Sequence, residues 1–343
     1  MSAPTRTAGR VPTSLGRARD RLEPALRDCV RRLAPEIQRV AGYHLGLLDA
    51  EGRPSTGNGG KAVRPALAFL SAEAVGAKTD VALPGALAVE LVHNFSLLHD
   101  DVMDHDQERR HRPTAWALFG LGQAIVTGDA LMILAQQLLT EPWTPERSHA
   151  AEALAGATAA MIAGQAEDLS FESRLDVSVD ECLRMIGHKT GALLSCAASI
   201  GAILAGAGEG AVGALAGFGL HLGLAFQAID DLLGIWGHPD VTGKPVASDL
   251  RAHKKTLPIV IALSAAGPDR DHLVELLSNA SLTEQSAAEA AEVVERRGGK
   301  SRTQAEAERQ LEAASASLHR VPLDPAATEE LEAVAAFVAA RDF

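Results

Sequence analysis

The sequence predicts an all-α protein, a bundle of long helices, and three observations carry that expectation. The apolar fraction is 47% but aromatics are only 3%, so the hydrophobic material is mostly Ala, Leu, Val and Ile. Ala and Leu favour helix, whereas β-rich chains carry more aromatics and Thr. Apolar residues recur at three- and four-residue steps along most of the chain, which is the helical period. Several of the predicted helices are apolar on most faces, as helices surrounded by other helices must be.

The elements follow in order. Residues 1–18, MSAPTRTAGRVPTSLGRA, read as a disordered lead, and 19–343 as a single domain with no composition shift to divide it. The lead lacks the apolar run of a secretory signal. Residues 6–39 hold nine Arg against four acids, which reads as a solvated helix face. ARDRLEPALRDCVRRLAPEIQRVAGYHLG is helical, EGRPSTGNGG (51–60) is a loop by composition, and KAVRPALAFLSAEAVG restarts a helix. ALPGALAVELVHNFSLLHDDVMDHDQ is a long apolar helix ending in acid. AIVTGDALMILAQQLL, AAEALAGATAAMIAGQAEDLSFES and VDECLRMIGHKTGALLSCAASIGAIL continue in the same style. AVGALAGFGLHLGLAFQAIDDLLGIWG again ends in acid. HPDVTGKPVASDLRAHKKT is a loop or broken helix, and LPIVIALSAAG fits strand or helix equally. The stretch 282–318 is helical, with a break at RRGGK.

The formal charge is −12. That excludes a general nucleic-acid binder, which needs clustered Lys and Arg against phosphate. Cys29, Cys182 and Cys196 match no metal spacing and read as buried thiols in a reducing cytoplasm. No run of about 18 uninterrupted apolar residues suggests a membrane span.

Two acidic motifs carry the chemistry. In Asp100-Asp101-Val-Met-Asp104, positions i and i+4 share one helix face. Clustered carboxylates repel unless a cation sits between them. Oxygen ligands without His or Cys suit Mg²⁺, which binds through a few carboxylates, substrate phosphates and water. Asp230-Asp231-Leu-Leu-Gly234 is the second motif, with Gln227 one turn earlier. Basic residues accompany both: Lys61 and Arg64; Arg109, Arg110 and Arg112; Lys189 beside Thr190; and Lys244, Lys254 and Lys255. Carboxylates that need Mg²⁺, together with separate sets of cations, suit a diphosphate.

On the segments GKAVRP, HNFSLLHDDVMD, RRHRPT, GQAEDL, GHKTG, FQAIDDLLG and GKPVASDLRAHKKTLP, in that order, the sequence resembles the trans (E)-polyprenyl diphosphate synthases. The resemblance runs from about residue 20 to the C-terminus. It implies an isoprenoid synthase-type helical bundle around a deep central cavity, acting as a homodimer. It also implies Mg²⁺-dependent condensation of isopentenyl diphosphate with an allylic diphosphate (dimethylallyl, geranyl or farnesyl). By the same resemblance Asp100 and Asp104 hold two of three Mg²⁺ ions, Asp101 supports them, and Asp230 holds the third. Arg109, Lys189, Lys244 and Lys254 contact the allylic diphosphate. Lys61, Arg64, His93 and Arg110 bind the diphosphate of isopentenyl diphosphate, while Thr190 and Gln227 line the reacting centre.

The chain departs from the pattern at Gly234, where the second motif usually ends in Asp, and in a missing Gly of the connector after Lys244. Phe95 lies five residues before Asp100, about 7.5 Å down the helix, where the family pattern places chain-length control. An aromatic there suggests a fifteen- or twenty-carbon product, geranylgeranyl diphosphate being slightly favoured over farnesyl diphosphate. Ordinary core packing would explain Phe95 as well. Two other readings stay open: a class I terpene cyclase, which has no need of the second diphosphate site, and a low-activity regulatory subunit, supported only by Gly234. His99, Trp116 and Trp236 read as packed residues, and Tyr43 carries no signal.

Overall fold

Proline and small polar residues open many of the helices, because the first turn leaves amides without intrahelical partners and tolerates a residue that has none. The computed structural model describes residues 11–55, 60–238, 246–279 and 281–340. Its helices are α1 (Thr13–Val30), α2 (Pro35–His44), α3 (Val63–Ala74), α4 (Leu83–Met103), α5 (Ala115–Phe119) and α6 (Leu121–Thr140). They continue with α7 (Pro145–Phe171), α8 (Val179–Ile186), α9 (Ala192–Leu204), α10 (Glu209–Trp236), α11 (Ser248–Arg251) and α12 (Leu257–Leu263). The last are α13 (Pro268–Leu277), α14 (Glu284–Arg296), α15 (Gly299–Leu318) and α16 (Pro325–Ala339). Thr144 caps α7 by accepting from the Arg147 amide, and Asp324 caps α16 by accepting from the Ala327 amide. Ser178 and Glu181 form a reciprocal capping box at α8.

Helix α9 is the central rod, packed against α3, α7 and α10. Leu193, Leu194, Ala197, Ala198 and Ile200 are all buried on it, which explains its lack of a polar face. Each such Leu or Ile contributes roughly 1.5–3 kcal/mol by leaving water. Helix α4 lies against α3 and α6, and α10 lies against α9 and α15. A satellite core joins Ile235 at the end of α10 to Leu250, Ile259, Leu273 and Val293, and it anchors the short helix α11.

Several expectations need correcting. The expected disorder does not hold for Thr13–Ala18, which is helical with Ser14, Leu15 and Ala18 buried; residues 1–10 lie outside the described residues. LPIVIALSAAG begins as helix α12, opened by Pro258 and buried along its length. RRHRPT, whose structure the sequence pattern does not specify, forms a hairpin: Glu108–Arg109 (β1) pairs antiparallel with Arg112–Pro113 (β2). By length and composition, Thr79–Met103 and Glu209–Trp236 are apolar enough to cross a membrane, with 61% and 50% of their most apolar windows buried. They are core helices whose Ala and Leu are covered by neighbouring helices. The break at RRGGK falls as expected, at the left-handed Gly298 (φ 79°) between α14 and α15. Cys29, Cys182 and Cys196 are buried and free.

Candidate active site

Each Asp pair divides its labour between an inner and an outer carboxylate. Asp101 is buried, and its Oδ1 accepts from Arg109 Nε at 2.6 Å. Burial is the main force on it and, against the opposing pull of Arg109, raises its pKa to about 6. Asp231 is also buried: Oδ1 accepts from Gln227 Nε2 at 2.9 Å and Oδ2 from the Leu257 amide at 2.9 Å. Its pKa rises to about 7, again chiefly through burial. The inner carboxylates are thus structural: Asp101 holds the arginine hairpin, and Asp231 accepts the first amide of α12. Asp100 and Asp230, one residue earlier on each helix, are half-buried. Burial raises Asp100, Lys189 opposes that, the Asp104 charge adds to it, and Arg109 and Lys254 oppose it.

Cations from distant parts of the chain meet these carboxylates. Lys254 Nζ donates to Asp104 Oδ2 at 3.2 Å, across 150 residues of sequence. Lys189 donates to Asp168 on α7. Lys189 and Thr190 sit in a π turn, Gly187–Gly191, between α8 and α9, a form frequent at functional sites. Gly164 on α7 admits that turn, since a Cβ there would stand 2.3 Å from the Lys189 amide nitrogen. Thr190 Oγ1 donates to Gln227 Oε1 at 2.8 Å, so Thr190, Gln227, Asp231 and the α12 amide form one hydrogen-bonded line.

A second basic group lies around α4. His93 falls well below its usual pKa through burial, with Arg64, Arg110 and Arg109 pushing the same way. Burial also lowers Arg64, against the charges of Glu90 and Asp230. Arg64 therefore lies within charge range of the second acidic motif as well as of Glu90. Arg110 lies against Gly60, where a Cβ would stand 3.0 Å from its Nη2. Lys61 Nζ is 5.3 Å from the centroid of the Phe337 ring on α16. Phe95 is buried, with its ring edge-on to His99 at 4.9 Å. His99 Nε2 lies 3.1 Å from the Ile125 carbonyl oxygen, a packed role as expected.

The structure thus brings Asp100, Asp104, Arg109, Lys189 and Lys254 together, joins Thr190 to Gln227, and gathers Arg64, His93 and Arg110 into a second group, with Asp230 within charge range of Arg64. Lys244 lies outside the described residues. Lys255 is structural: it is buried and donates to the carbonyls of Glu172 and His253. Asp168, Glu90 and His44 went unnoticed in the sequence, and Tyr43 carried no signal there. Tyr43 Oη donates to the Pro113 carbonyl at 2.8 Å, and the Arg112 guanidinium stacks 4.2 Å from its ring centroid, so it braces the arginine hairpin.

The backbone is bent sharply around these groups. Among the described residues, the non-glycines in the left-handed region are Ala62, His105, Arg110, His111, Ala247 and His253. Five flank or include Lys61, Asp104, Arg110 and Lys254, and Ala247 leads into α11. Arg110 and His111 form a two-residue hairpin turn of the kind that usually takes Asn-Gly. Such strain, of order 1–3 kcal/mol per residue, clusters at functional sites.

Among the described residues no three carboxylate, imidazole or thiol groups converge as a ready-made metal cage. Oxygen donors at half-buried Asp100 and Asp230 and at exposed Asp104 fit Mg²⁺, which takes few protein ligands and completes its shell with phosphate and water.

An all-α bundle with two acidic helix ends and two basic clusters defines an isoprenyl synthase. The family description "Polyprenyl synthetase" matches residues 47–294. The chain is 45% identical to the (2E,6E)-farnesyl diphosphate synthase of Mycobacterium tuberculosis, over 95% of this chain and 92% of that one. It is 42% identical to the geranylgeranyl diphosphate synthase of the same organism, over 90% and 91%. The crystal structure of polyprenyl synthetase from Streptomyces coelicolor superposes with a TM-score of 0.90 at 52% identity, covering 95% of this chain and 98% of that one. The chain belongs to the polyprenyl synthetase family and is a prenyltransferase.

Proposed function

We propose that the protein joins isopentenyl diphosphate to an allylic diphosphate (dimethylallyl, geranyl or farnesyl) and releases a fifteen- or twenty-carbon (E)-prenyl diphosphate. The observation that carries this reading is the Lys254–Asp104 contact, which brings the first acidic motif against the basic segment that follows the second. The Arg64–His93–Arg110 group is a separate anion site, which a cyclase acting on one diphosphate would not need.

The residues divide the chemistry. Asp100, Asp104 and Asp230 would hold Mg²⁺, three ions in this reading, and the bound metal would neutralise charge developing on the leaving diphosphate. Lys189, Lys254 and Arg109 point fixed positive charge at the same leaving group, where preorganised electrostatics act most strongly. Lys61, Arg64, His93 and Arg110 orient the second diphosphate. Burial and the neighbouring arginines favour neutral His93, so it serves as a hydrogen-bonding group rather than a charge. The Thr190 and Gln227 oxygens face the allylic carbon as positive charge develops, and the apolar helices keep water from it. Phe95 blocks the growing chain below Asp100.

A second copy of the chain would cover the apolar strip on α6, where Leu121, Val126 and Ile133 are 54%, 51% and 55% exposed. A strip of that kind marks an association surface and supports a homodimer. The three buried free thiols support a reducing cytoplasm. Product analysis with each allylic diphosphate, with and without isopentenyl diphosphate, tests the function. Chain elongation only when both substrates and Mg²⁺ are present is expected. A hydrocarbon from the allylic substrate alone would overturn the reading.

A further inference from the structure

The two acidic motifs of this chain differ by one carboxylate. The first runs Asp100, Asp101, Asp104; the second runs Asp230, Asp231, Gly234. Residue 234 stands one helical turn beyond Asp230, on the same face. The position is not empty. A Cβ on Gly234 would lie 2.0 Å from Oδ2, 2.4 Å from Cγ and 2.9 Å from Oδ1 of Asp249. A carboxylate from another segment therefore occupies the volume in which a side chain at 234 would begin.

The loop that delivers it is fixed at several points. The Ala247 amide donates to the Ile235 carbonyl at 3.2 Å. Ser248 Oγ donates to the Gly234 carbonyl at 3.2 Å. The Lys254 amide donates to the Asp249 carbonyl at 3.0 Å, which ties the site lysine to the same residue. Ala247 and His253, on either side of Asp249, both take left-handed backbone, with φ of 58° and 54°. The Asp249 charge raises the pKa of both Asp231 and Lys254, so it reaches into the site.

We propose that Asp249 is the third carboxylate of the second acidic motif, supplied from α11 in place of residue 234, and that it helps hold the divalent ion assigned to Asp230. Gly234 is then the notch that admits it, and its lack of a side chain does not signal lost activity. The inference rests on the prenyltransferase reading above. The bland alternative is that Asp249 merely favours the first turn of α11 and stabilises the fold.

The test is calorimetric titration of the full chain with inorganic diphosphate, in excess Mg²⁺ and again in EDTA, for four proteins. These are the unaltered chain, Asp249→Asn, Asp249→Gly, and Gly234→Asp combined with Asp249→Gly. In Mg²⁺, Asp249→Asn and Asp249→Gly are expected to lose about 10- to 100-fold in diphosphate affinity, the range for removing a partner of a metal site. In EDTA they match the unaltered chain, which a purely structural role would not predict. The double variant recovers most of the affinity, because its carboxylate starts where Asp249 ended. Unchanged binding by Asp249→Asn in Mg²⁺ would overturn the proposal, as would equal losses in Mg²⁺ and EDTA. If the double variant does not fold, the nearly isosteric Asp249→Asn decides alone. Absence of Mg²⁺-dependent binding by the unaltered chain would count against the prenyltransferase reading itself.

Discussion

Lys254 Nζ lies 3.2 Å from Asp104 Oδ2, although 150 residues separate them. Burial works against the Lys254 charge, but Asp104 outweighs it and leaves the lysine pKa above its ordinary value. Lys254→Ala is expected to cut kcat/KM for the allylic diphosphate about 10²-fold, the scale for losing one preorganised donor to developing negative charge. KM for isopentenyl diphosphate should change little. Steady-state kinetics with each substrate varied in turn separate the two, and equal effects on both would contradict the assignment.

Under the proposed assignment, Tyr43 would reach the second diphosphate through the hairpin that carries Arg110. Tyr43→Phe keeps the ring under Arg112 and removes only the bond to the Pro113 carbonyl. It should cost about 1 kcal/mol of stability and raise KM for isopentenyl diphosphate while kcat stays near its original value. A fall in kcat without a KM change would show that the hairpin serves the chemical step instead.

Gly164→Ala introduces a methyl 2.3 Å from the Lys189 amide nitrogen. Backbone must move to admit it, at a cost of about 1–3 kcal/mol. Urea unfolding should show the loss, and activity should fall further than stability because Lys189 and Thr190 ride on the displaced turn. Wild-type turnover in Gly164→Ala would mean that the π turn is not needed.

Burial, with Arg109 and Arg110 nearby, lowers the His44 pKa from 6.5 to about 3. Between these values the unfolded chain takes up a proton that the folded chain refuses. The His44 contribution to stability is therefore complete above pH 6.5 and is lost progressively as the pH falls toward 3. In diphosphate-free buffer, His44→Gln should flatten the decline in urea stability between pH 7 and 5, by at most about 1.4 kcal/mol per pH unit. Parallel stability–pH curves for the two proteins would rule this out.

Phe95→Ala removes the buried ring beside His99 and should lengthen the product by at least one five-carbon unit. Chromatography of dephosphorylated products reads this directly. An unchanged distribution would assign Phe95 to core packing alone.

The acids and cations were legible in the sequence because each sits in a local pattern, an Asp pair closing an apolar helix or a Lys interrupting one. Helix α9 was legible for the same reason, since its continuous apolar run has no solvent face to encode. Asp168, Tyr43 and Asp249 were not legible as site residues, because their roles depend on partners far along the chain: Lys189, Pro113 and Gly234. The π turn at Gly187–Gly191 was hidden as well, since it packs into notches at Gly164 and Gly223 on neighbouring helices. The arginine hairpin was missed because Arg110 and His111 hold a backbone conformation that neither residue favours on its own.

That backbone has a consequence for engineering. Replacing His105, His111 or His253 with glycine would relax torsions that a side chain resists, and melting temperature is a poor guide to the outcome. The relaxed variants would be free to sample many loop shapes where the parent is confined to one, so thermal gains would come with slack anion capture. A directed-evolution campaign that screens for heat tolerance alone would drift toward sturdy, sluggish catalysts.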